Sequence, residues 1–329
     1  MTQETYDFGF IKAIRSCGFS DSATLASISL GGSTRKFYRL NDGQKSVVIM
    51  QSQESESEFV KYIEIDKFLK EIGVGVPEIY YYDLSNKLVV EEDLGDLSVQ
   101  KYIINAGDFN IYKQVMDTLA LMQVMGAQKS HGNLFNPNFD YDTMRWETWY
   151  FRQYFLELYC GLKINNPDEL DKEFHKLAMS LVNEPLYFMH RDFQSQNILL
   201  KDNKIRIIDF QGARLGLLAY DLASLLKDAY VEMPDKTREG LLDYYLNCLS
   251  IDWNIEIEPN YFRNIFLYTG LQRNMQALGA FAYLSRVANK PWFAQYIPQG
   301  LRYLYDALTT AQNFPELLKT ISPCLKLFE

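Results

Sequence analysis

The chain has 329 residues, of which 47% are hydrophobic, and its formal net charge at pH 7 is −9. This length and apolar content are sufficient for one large domain or for two smaller lobes with buried cores. The negative charge argues against a general nucleic-acid binder, because basic surfaces bind phosphate backbones. No run of about 18 apolar residues is present, so the sequence predicts no membrane span.

The four cysteines and three histidines are scattered along the chain and form no CxxC pair. This distribution argues against a disulfide framework and against a zinc site, and it favours a reducing cytoplasm. The first residues are polar and lack the basic start and apolar run of a signal peptide, which also favours a cytoplasmic location. Any bound metal is therefore expected to have oxygen ligands.

Residues 1–95 are predicted to form a small β-rich lobe. Alternating apolar residues indicate its strands, and Asn41-Asp42-Gly43 is a strong hairpin turn signal. Apolar residues at helical spacing, ended by Gly73, indicate a helix. The predicted elements are a helix at 8–17, strands at 27–30, 36–40 and 46–50, a helix at 59–72, and strands at 77–82 and 87–91.

Residues 96–329 are predicted to form a larger and mainly helical lobe. Its interruption is a short strand pair joined by Lys201-Asp202-Asn203. The sequence therefore predicts an α+β fold with a small antiparallel β N-lobe and a helical C-lobe. The predicted helices are 111–128, 142–160, 168–182, 220–230 and 259–288, and the predicted strands are 198–200 and 205–208.

The most informative segment is HRDFQSQN at 190–197, which is followed by an apolar strand ending in IDF at 208–210. Phosphoryl transfer from ATP needs an acid that orients the attacking hydroxyl and oxygen ligands that hold Mg²⁺. Asp192 is the predicted catalytic base, and Asn197 and Asp209 are the predicted Mg²⁺ ligands. A chance HRD tripeptide is the alternative, but the spacing, the Asn and the strand all agree with a catalytic loop.

These motifs resemble the aminoglycoside phosphotransferase and choline kinase superfamily, over nearly the whole chain. The resemblance implies a bilobal protein-kinase-like fold, ATP as co-substrate and Mg²⁺ as cofactor. The segment Tyr220-Asp221-Leu222-Ala223 looks like the helix start that follows the metal-binding strand. His190 and Asp221 are accordingly expected to support the catalytic loop, and a helix N-cap is the structural interpretation of Asp221.

Two segments, 209–228 and 270–282, are similar to the anomeric amino-sugar kinases, which phosphorylate the C1 hydroxyl of N-acetylmuramate and N-acetylglucosamine. This resemblance implies an ATP-dependent sugar kinase of cell-wall recycling. An aminoglycoside, choline or homoserine kinase is the alternative within the enzymes. A nucleotide-binding pseudokinase that acts as a scaffold is the alternative outside them.

The nucleotide is expected to bind at the Gly-Gly turn before the second strand and at the link after the strand 87–91. Two glycines also mark any plain hairpin, but they let backbone N–H groups approach phosphate oxygens. Kinase-like folds usually end the third strand with a phosphate-binding lysine, and Met50 stands there. Either another cation replaces that charge, with Arg35, Lys36 and Arg39 as the candidates, or phosphate binding is weak. The predicted nucleotide-binding residues are Gly31, Gly32, Ser33, Thr34, Arg35, Met50, Glu92, Asp93 and Leu94.

The acceptor is expected to contact carboxylates, amides and aromatic rings. Glu147 shares one helix face with Phe151 and Tyr154, and this face is either a core stripe or an acceptor wall. Arg273 is predicted either to hold a lactate carboxylate or to form a structural salt bridge. Gln211 follows the metal-binding acid and is predicted to contact the acceptor or a metal-bound water.

Overall fold

The structure is a computed structural model that describes residues 18–19, 23–28, 35–130 and 132–328. The predicted helix at 8–17 and the predicted phosphate turn Gly31-Gly32-Ser33-Thr34 lie outside these residues. Two compact units make up the described chain: Met1–Leu97 with Leu199–Gln211, and Ser98–Ile198 with Gly212–Glu329. The predicted lobes 1–95 and 96–329 stay a prediction.

The first unit contains an antiparallel five-stranded sheet with the strand order β1-β2-β3-β5-β4. Gly43 adopts a φ of 89° in the turn between β2 and β3, which a residue with a side chain rarely does. Leu40, Ile49 and Val90 belong to the core on this sheet. The strands are β1 (Thr24–Ile28), β2 (Lys36–Asn41), β3 (Ser46–Gln51), β4 (Ile79–Asp83) and β5 (Leu88–Glu92).

Helix α1 (Glu56–Glu71) follows the sheet's third strand in the same unit. The side chain of Ser55 accepts a hydrogen bond from the backbone N–H of Glu58 and so caps the helix start. Gly73, with a φ of 86°, lies just beyond the helix end, where a left-handed residue is favoured. The predicted helix at 59–72 is confirmed, with a start three residues earlier.

A hairpin of two short strands belongs to the first unit from Leu199 onward. Asp202 and Asn203 adopt φ angles of 52° and 58°, as a two-residue hairpin turn requires. The backbone N–H of Ile207 donates to the carbonyl of Gly75 at 2.8 Å. A Cβ at Gly75 would lie 2.7 Å from the carbonyl oxygen of Ile205, so this close contact requires glycine. The strands are β7 (Ile198–Lys201) and β8 (Lys204–Ile207).

The second unit is mainly helical and includes one antiparallel strand pair, β6 (Leu186–Met189) with β9 (Arg214–Leu217). Its core combines aromatic and aliphatic side chains from several helices, among them Phe155, Met275 and Leu304. The α-helices are α2 (Val99–Ala106), α3 (Ile111–Lys129), α4 (Tyr141–Tyr150), α5 (Pro167–Met179), α6 (Leu218–Leu226), α7 (Asp235–Trp253), α8 (Pro259–Arg286), α9 (Ile297–Ala311) and α10 (Pro315–Leu325).

The predicted single helix at 142–160 is wrong in one respect. Helix α4 ends at Tyr150, and the chain continues as a π-helix over Phe151–Tyr159. Gly279 of α8 packs against this junction, and a Cβ there would lie 3.2 Å from the backbone N of Phe151. The wider helix changes which side chains share a face after Tyr150. In the part of the chain that the structure describes, no helix is long and apolar enough to cross a bilayer.

Gly126 of α3 lies against Phe188 of β6, and a Cβ at this position would meet the Phe188 Cβ at 2.5 Å. We expect Gly126→Ala to destabilise the chain. Overpacking lowers the free energy of unfolding by about 1–3 kcal/mol, which outweighs the gain of about 1 kcal/mol from the higher helix propensity of alanine. Gly240→Ala in α7 is the matched control, since nothing lies within 4 Å of its added Cβ. It should stabilise the chain. Urea unfolding measures both variants, and a stabilising Gly126→Ala would contradict the prediction.

Candidate active site

The backbone of the predicted catalytic loop is fixed by a buried acid of α6. Asp221 accepts hydrogen bonds from the backbone N–H groups of His190 at 2.7 Å and of Arg191 at 2.8 Å. Arg191 adopts a φ of 79°, a conformation that a residue with a side chain rarely adopts. The two hydrogen bonds stabilise this turn immediately before Asp192. The predicted N-cap role of Asp221 is wrong, because the N-cap residue is Leu217.

Burial raises the pKa of Asp221 to about 7, although the two backbone hydrogen bonds act in the opposite direction. A second buried acid, Asp228, accepts the backbone N–H of Ser195 at 2.8 Å and its hydroxyl at 2.5 Å. Burial raises the pKa of Asp228 as well. Two buried carboxylates therefore hold the loop at both ends, and Asp228 was not anticipated from the sequence.

Asn197 closes the loop on itself. Its side-chain amide donates from Nδ2 to the backbone carbonyl of Asp192 at 2.9 Å. The amide oxygen has no hydrogen bond to the residues that the structure describes. This oxygen is a hard ligand of the type that Mg²⁺ binds, so Asn197 fits the predicted metal role by its chemistry.

The Asp192 carboxylate is about one-third exposed, with 35% of its side-chain surface accessible. The guanidinium of Arg273 lies beside it, with Nη2 3.9 Å from Asp192 Oδ1. Arg273 is itself buried and donates to Ser224 Oγ at 3.1 Å, Gln276 Oε1 at 2.8 Å and Gln194 Oε1 at 3.4 Å. The geometry therefore brings Arg273 next to the predicted base, a position that the sequence did not indicate.

Glu147 lies inside the helical core, with no exposed surface. Its two carboxylate oxygens accept hydrogen bonds from Tyr220 Oη and Gln272 Nε2, each at 2.9 Å. Burial raises the pKa of Glu147. In this geometry the carboxylate is enclosed by its partners, so a direct contact with an acceptor is not available to it.

An open pocket of about 390 Å³ adjoins the catalytic loop within the second unit. Arg191 contributes to it, together with Arg214 at the start of β9. We call it the arginine pocket. Neither arginine was predicted as a site residue, although Arg214 stands in the quoted segment that follows Asp209. Its polar and aromatic lining consists of Asp140, Asp142, Thr143, Trp146, Arg191 and Arg214.

In the first unit, Asp209 follows β8 with a φ of 64°. Its Oδ1 accepts hydrogen bonds from Arg35 Nη2 at 3.2 Å and from Gln211 Nε2 at 2.9 Å. Its Oδ2 has no hydrogen bond within the described parts of the chain. One carboxylate oxygen of Asp209 therefore remains for a metal, and Gln211 orients this acid.

Arg35 precedes β2, and its side chain is only 4% exposed. Its Nη1 lies 3.8 Å from the sulfur of Met50, and its Nε lies 3.7 Å from Glu54 Oε1. The guanidinium carbon is 5.7 Å from the ring centre of Tyr62, within the range of a cation–π contact. A positive charge therefore sits beside Met50 and Asp209, although strand β3 carries no lysine.

The other two candidates for this charge are placed elsewhere. Arg39 forms ion pairs with Asp93 at 2.7 Å and with Asp96 at 3.0 Å. Lys36 is exposed on β2. Of the three basic residues that the sequence offers, Arg35 is the one that contacts the predicted metal acid.

The link after β5 is largely hydrogen-bonded. The N–H of Glu92 donates to the carbonyl of Glu78 at 2.8 Å, and the carbonyl of Asp93 accepts from Lys201 Nζ at 2.7 Å. The backbone of Leu94 has no hydrogen bond to other described residues. Leu94 therefore offers the backbone groups of this link that a nucleobase could use.

Tyr62 and Glu91 form a buried polar pair in the first unit. Tyr62 Oη donates to Glu91 Oε2 at 2.7 Å, and the Tyr62 ring stacks on Phe210 with centroids 5.0 Å apart. Burial raises the pKa of Glu91 to about 7, against the hydrogen bond from Tyr62. This pair positions Phe210, the residue that directly follows Asp209, and no sequence pattern indicated it.

The chain matches the phosphotransferase enzyme family over residues 24–255. The N-acetylmuramate/N-acetylglucosamine kinase of Pseudomonas aeruginosa is 26% identical over 300 residues, which cover 90% of this chain and 87% of that protein. The protein of the same name from Neisseria meningitidis serogroup B is 26% identical over 275 residues, covering 82% of this chain and 81% of that protein.

Among solved structures, Plasmodium vivax ethanolamine kinase superposes with a TM-score of 0.65 at 15% identity, covering 93% of this chain and 92% of that chain. At this identity the likeness shows the fold alone, and it confirms the predicted α+β protein-kinase-like fold. The family match and the named relatives together define a kinase that acts on small molecules. The chain belongs to the phosphotransferase enzyme family. The predicted resemblance to the amino-sugar kinases within the superfamily is confirmed.

Glu91→Gln should change how stability depends on pH. Because the folded pKa of Glu91 is about 7 and the usual value is 4.5, its contribution to stability is full below about pH 4.5 and is lost as the pH rises through 7. Glutamine keeps a hydrogen-bond acceptor for Tyr62 and does not titrate. We therefore expect the variant to gain stability relative to the native chain between pH 5 and pH 8.

Urea unfolding at pH 5, 6, 7 and 8 measures this difference. Glu64→Gln, which alters an exposed acid of α1, controls for the change of residue type. A difference between Glu91→Gln and the native chain that stays constant over this range would contradict the assignment of a buried titrating acid.

Proposed function

We propose that this chain transfers the γ-phosphate of ATP to the anomeric hydroxyl of N-acetylmuramate or N-acetylglucosamine. The names of the curated relatives support this acceptor class. The observation that carries the proposal is the catalytic loop, in which a partly exposed Asp192 follows a turn held by buried Asp221. A cytoplasmic location, where ATP is available, is part of the proposal.

Asp192 is proposed to orient the attacking sugar hydroxyl and to take its proton as the new bond to phosphorus forms. Arg273 lies beside it and helps to hold the carboxylate in place by its charge. Since Glu147 is enclosed by Tyr220 and Gln272, its proposed part in acceptor binding is to fix α4 against α8. Gln211 is proposed to act by orienting Asp209.

Mg²⁺ is the proposed cofactor, and the oxygen atoms that remain on Asn197 and Asp209 fit it. When bound, the ion neutralises charge on the phosphate oxygens. Arg35 is proposed to supply the second positive charge, in place of the missing lysine next to Met50. The further proposed nucleotide contacts are the backbone and side chains of Gly31, Gly32, Ser33, Thr34, Glu92, Asp93 and Leu94.

The alternatives carry less weight. A choline or aminoglycoside acceptor is cationic, and the guanidinium groups of Arg191 and Arg214 in the arginine pocket would repel it. A pseudokinase scaffold was suggested by Met50, but Arg35 supplies a positive charge at that place. A phosphate-transfer assay distinguishes an amino-sugar kinase from a choline or aminoglycoside kinase and from a pseudokinase scaffold.

The purified chain should transfer phosphate from Mg-ATP to N-acetylmuramate or N-acetylglucosamine and give a sugar 1-phosphate signal in ³¹P NMR. Asp192→Asn should lower turnover by about 10²- to 10⁴-fold, because the general base is lost. Asp235→Asn, which alters a side chain that is 91% exposed, should leave turnover unchanged. Turnover of choline or kanamycin alone, or an active Asp192→Asn variant, would sink the proposal.

Arg35→Met should raise the KM for ATP by about 10- to 100-fold, since a charge-assisted contact contributes about 1.5–3 kcal/mol. Arg35→Lys should restore part of this loss, because the charge is kept. Lys36→Met is the matched control, as it removes a neighbouring exposed charge. Steady-state kinetics with ATP varied measures all three variants, and equal KM values for Arg35→Met and Lys36→Met would refute the role of Arg35.

A further inference from the structure

The two guanidinium groups of the arginine pocket have no counter-charge in direct contact. Arg191 and Arg214 are both partly buried, and neither forms an ion pair with a described residue, whereas Arg39 and Arg206 each hold a carboxylate. The Nε atom of Arg191 is buried and has no hydrogen-bond partner there. A partly buried cation without an ion-pair partner is costly, so the binding of an anion would be favoured at this place.

The electrostatics of Arg214 agree with this geometry. Burial lowers the pKa of Arg214, and the neighbouring charge of Arg191 lowers it further. Glu147 and Asp192 act in the opposite direction on Arg214. Glu147 is enclosed in the core and bonded to Tyr220 and Gln272, and Asp192 forms no ion pair with Arg214. Burial acts to lower the pKa of Arg191 as well, but Asp192 and Glu147 raise it on balance. A bound anion would therefore favour the charged form of Arg214 in particular.

The carboxylates of the pocket do not remove the need for an anion. Asp140 caps α4, and its Oδ1 accepts from the backbone N–H of Thr143 at 2.9 Å and from the Thr143 hydroxyl at 2.7 Å. These bonds occupy that oxygen. Asp142 is exposed in the first turn of the same helix. The remaining acceptor capacity of the two acids suits hydroxyl groups, which are donors.

Trp146 gives the pocket a flat apolar wall. Its side chain is 46% exposed, and its ring stacks on Tyr150 with centroids 5.0 Å apart and an angle of 20° between the planes. Tyr150 thus holds the indole in one orientation. A rigid exposed aromatic face beside polar groups suits a ligand with an apolar ring face and hydroxyl edges, such as a sugar.

The pocket adjoins the predicted base through the backbone of Gly212. A Cβ at Gly212 would lie 3.7 Å from Arg191 Cδ and 4.0 Å from Asp192 Oδ2, and Arg214 Nε donates to the Gly212 carbonyl at 3.4 Å. A ligand bound to the two arginines therefore lies close to the Asp192 carboxylate. The arginine pocket is therefore positioned to bind part of the acceptor.

We propose that Arg191 and Arg214 form an anion subsite that binds a carboxylate carried by the acceptor sugar. This inference rests on the proposed sugar kinase activity and adds the residues that select an acidic sugar. Planar guanidinium groups match a carboxylate with paired hydrogen bonds. Arg273 is less suited to this role, because its donors already bind Ser224, Gln276 and Gln194.

The test compares N-acetylmuramate with N-acetylglucosamine, since the acid carries a carboxylate on an ether arm that the neutral sugar lacks. Arg214→Met should lower the ratio of kcat/KM for the acid to that for the neutral sugar by at least about tenfold, through KM. Arg273→Met should instead lower kcat for both sugars alike and keep the ratio. Arg302→Met removes a guanidinium that is 58% exposed and should change neither value.

A measurement on the native chain guards against a variant that fails to fold. The neutral amide of N-acetylmuramate should show a KM about tenfold or more above that of the acid. An unchanged ratio in Arg214→Met with equal KM values for acid and amide overturns the subsite. Equal losses for both sugars in Arg214→Met would mean that the arginines serve the transferred phosphate, and this also overturns it. A native chain that phosphorylates neither sugar refutes the proposed function itself, a result distinct from both.

Discussion

The hydrogen bonds from His190 and Arg191 to Asp221 are the interaction on which the rest of the candidate site depends. They stabilise a left-handed turn at a residue with a long side chain, and that turn sets the direction in which Asp192 leaves the loop. A carboxylate suits this task because its two oxygens accept from two neighbouring N–H groups at once. The same turn directs the Arg191 side chain into the arginine pocket.

In the first unit, the main electrostatic feature is the positive charge beside Met50. Met50 leaves the end of β3 without charge, and Arg35 approaches the same place from the residue before β2. Its guanidinium contacts Asp209, Glu54 and the ring of Tyr62, so it is held from several sides. The chain thus has a positive charge beside Met50 that does not come from strand β3 itself.

The sequence predicted the parts of the structure that depend on local chemistry. The turns at Gly43 and at Asp202-Asn203, the helix before Gly73 and the long helix α8 follow from turn residues, caps and apolar spacing. Contacts between distant segments could not be predicted this way. Spacing alone did not select Arg35 from three basic residues, and it did not reveal that Glu147 is enclosed by Tyr220 and Gln272, which lie 73 and 125 positions away.

The hairpin of β7 and β8 has a consequence for how such chains can diverge. Its segment, Leu199–Gln211, belongs to the same compact unit as Met1–Leu97, although the segment Ser98–Ile198 of the other unit separates them along the chain. The contact of Ile207 with Gly75 joins the two segments. A genetic exchange of the N-terminal part alone would combine Gly75 of one chain with the hairpin of another, although the two are in close contact. Recombination between relatives is therefore expected to preserve Gly75 and the hairpin together, or to require matched changes in both.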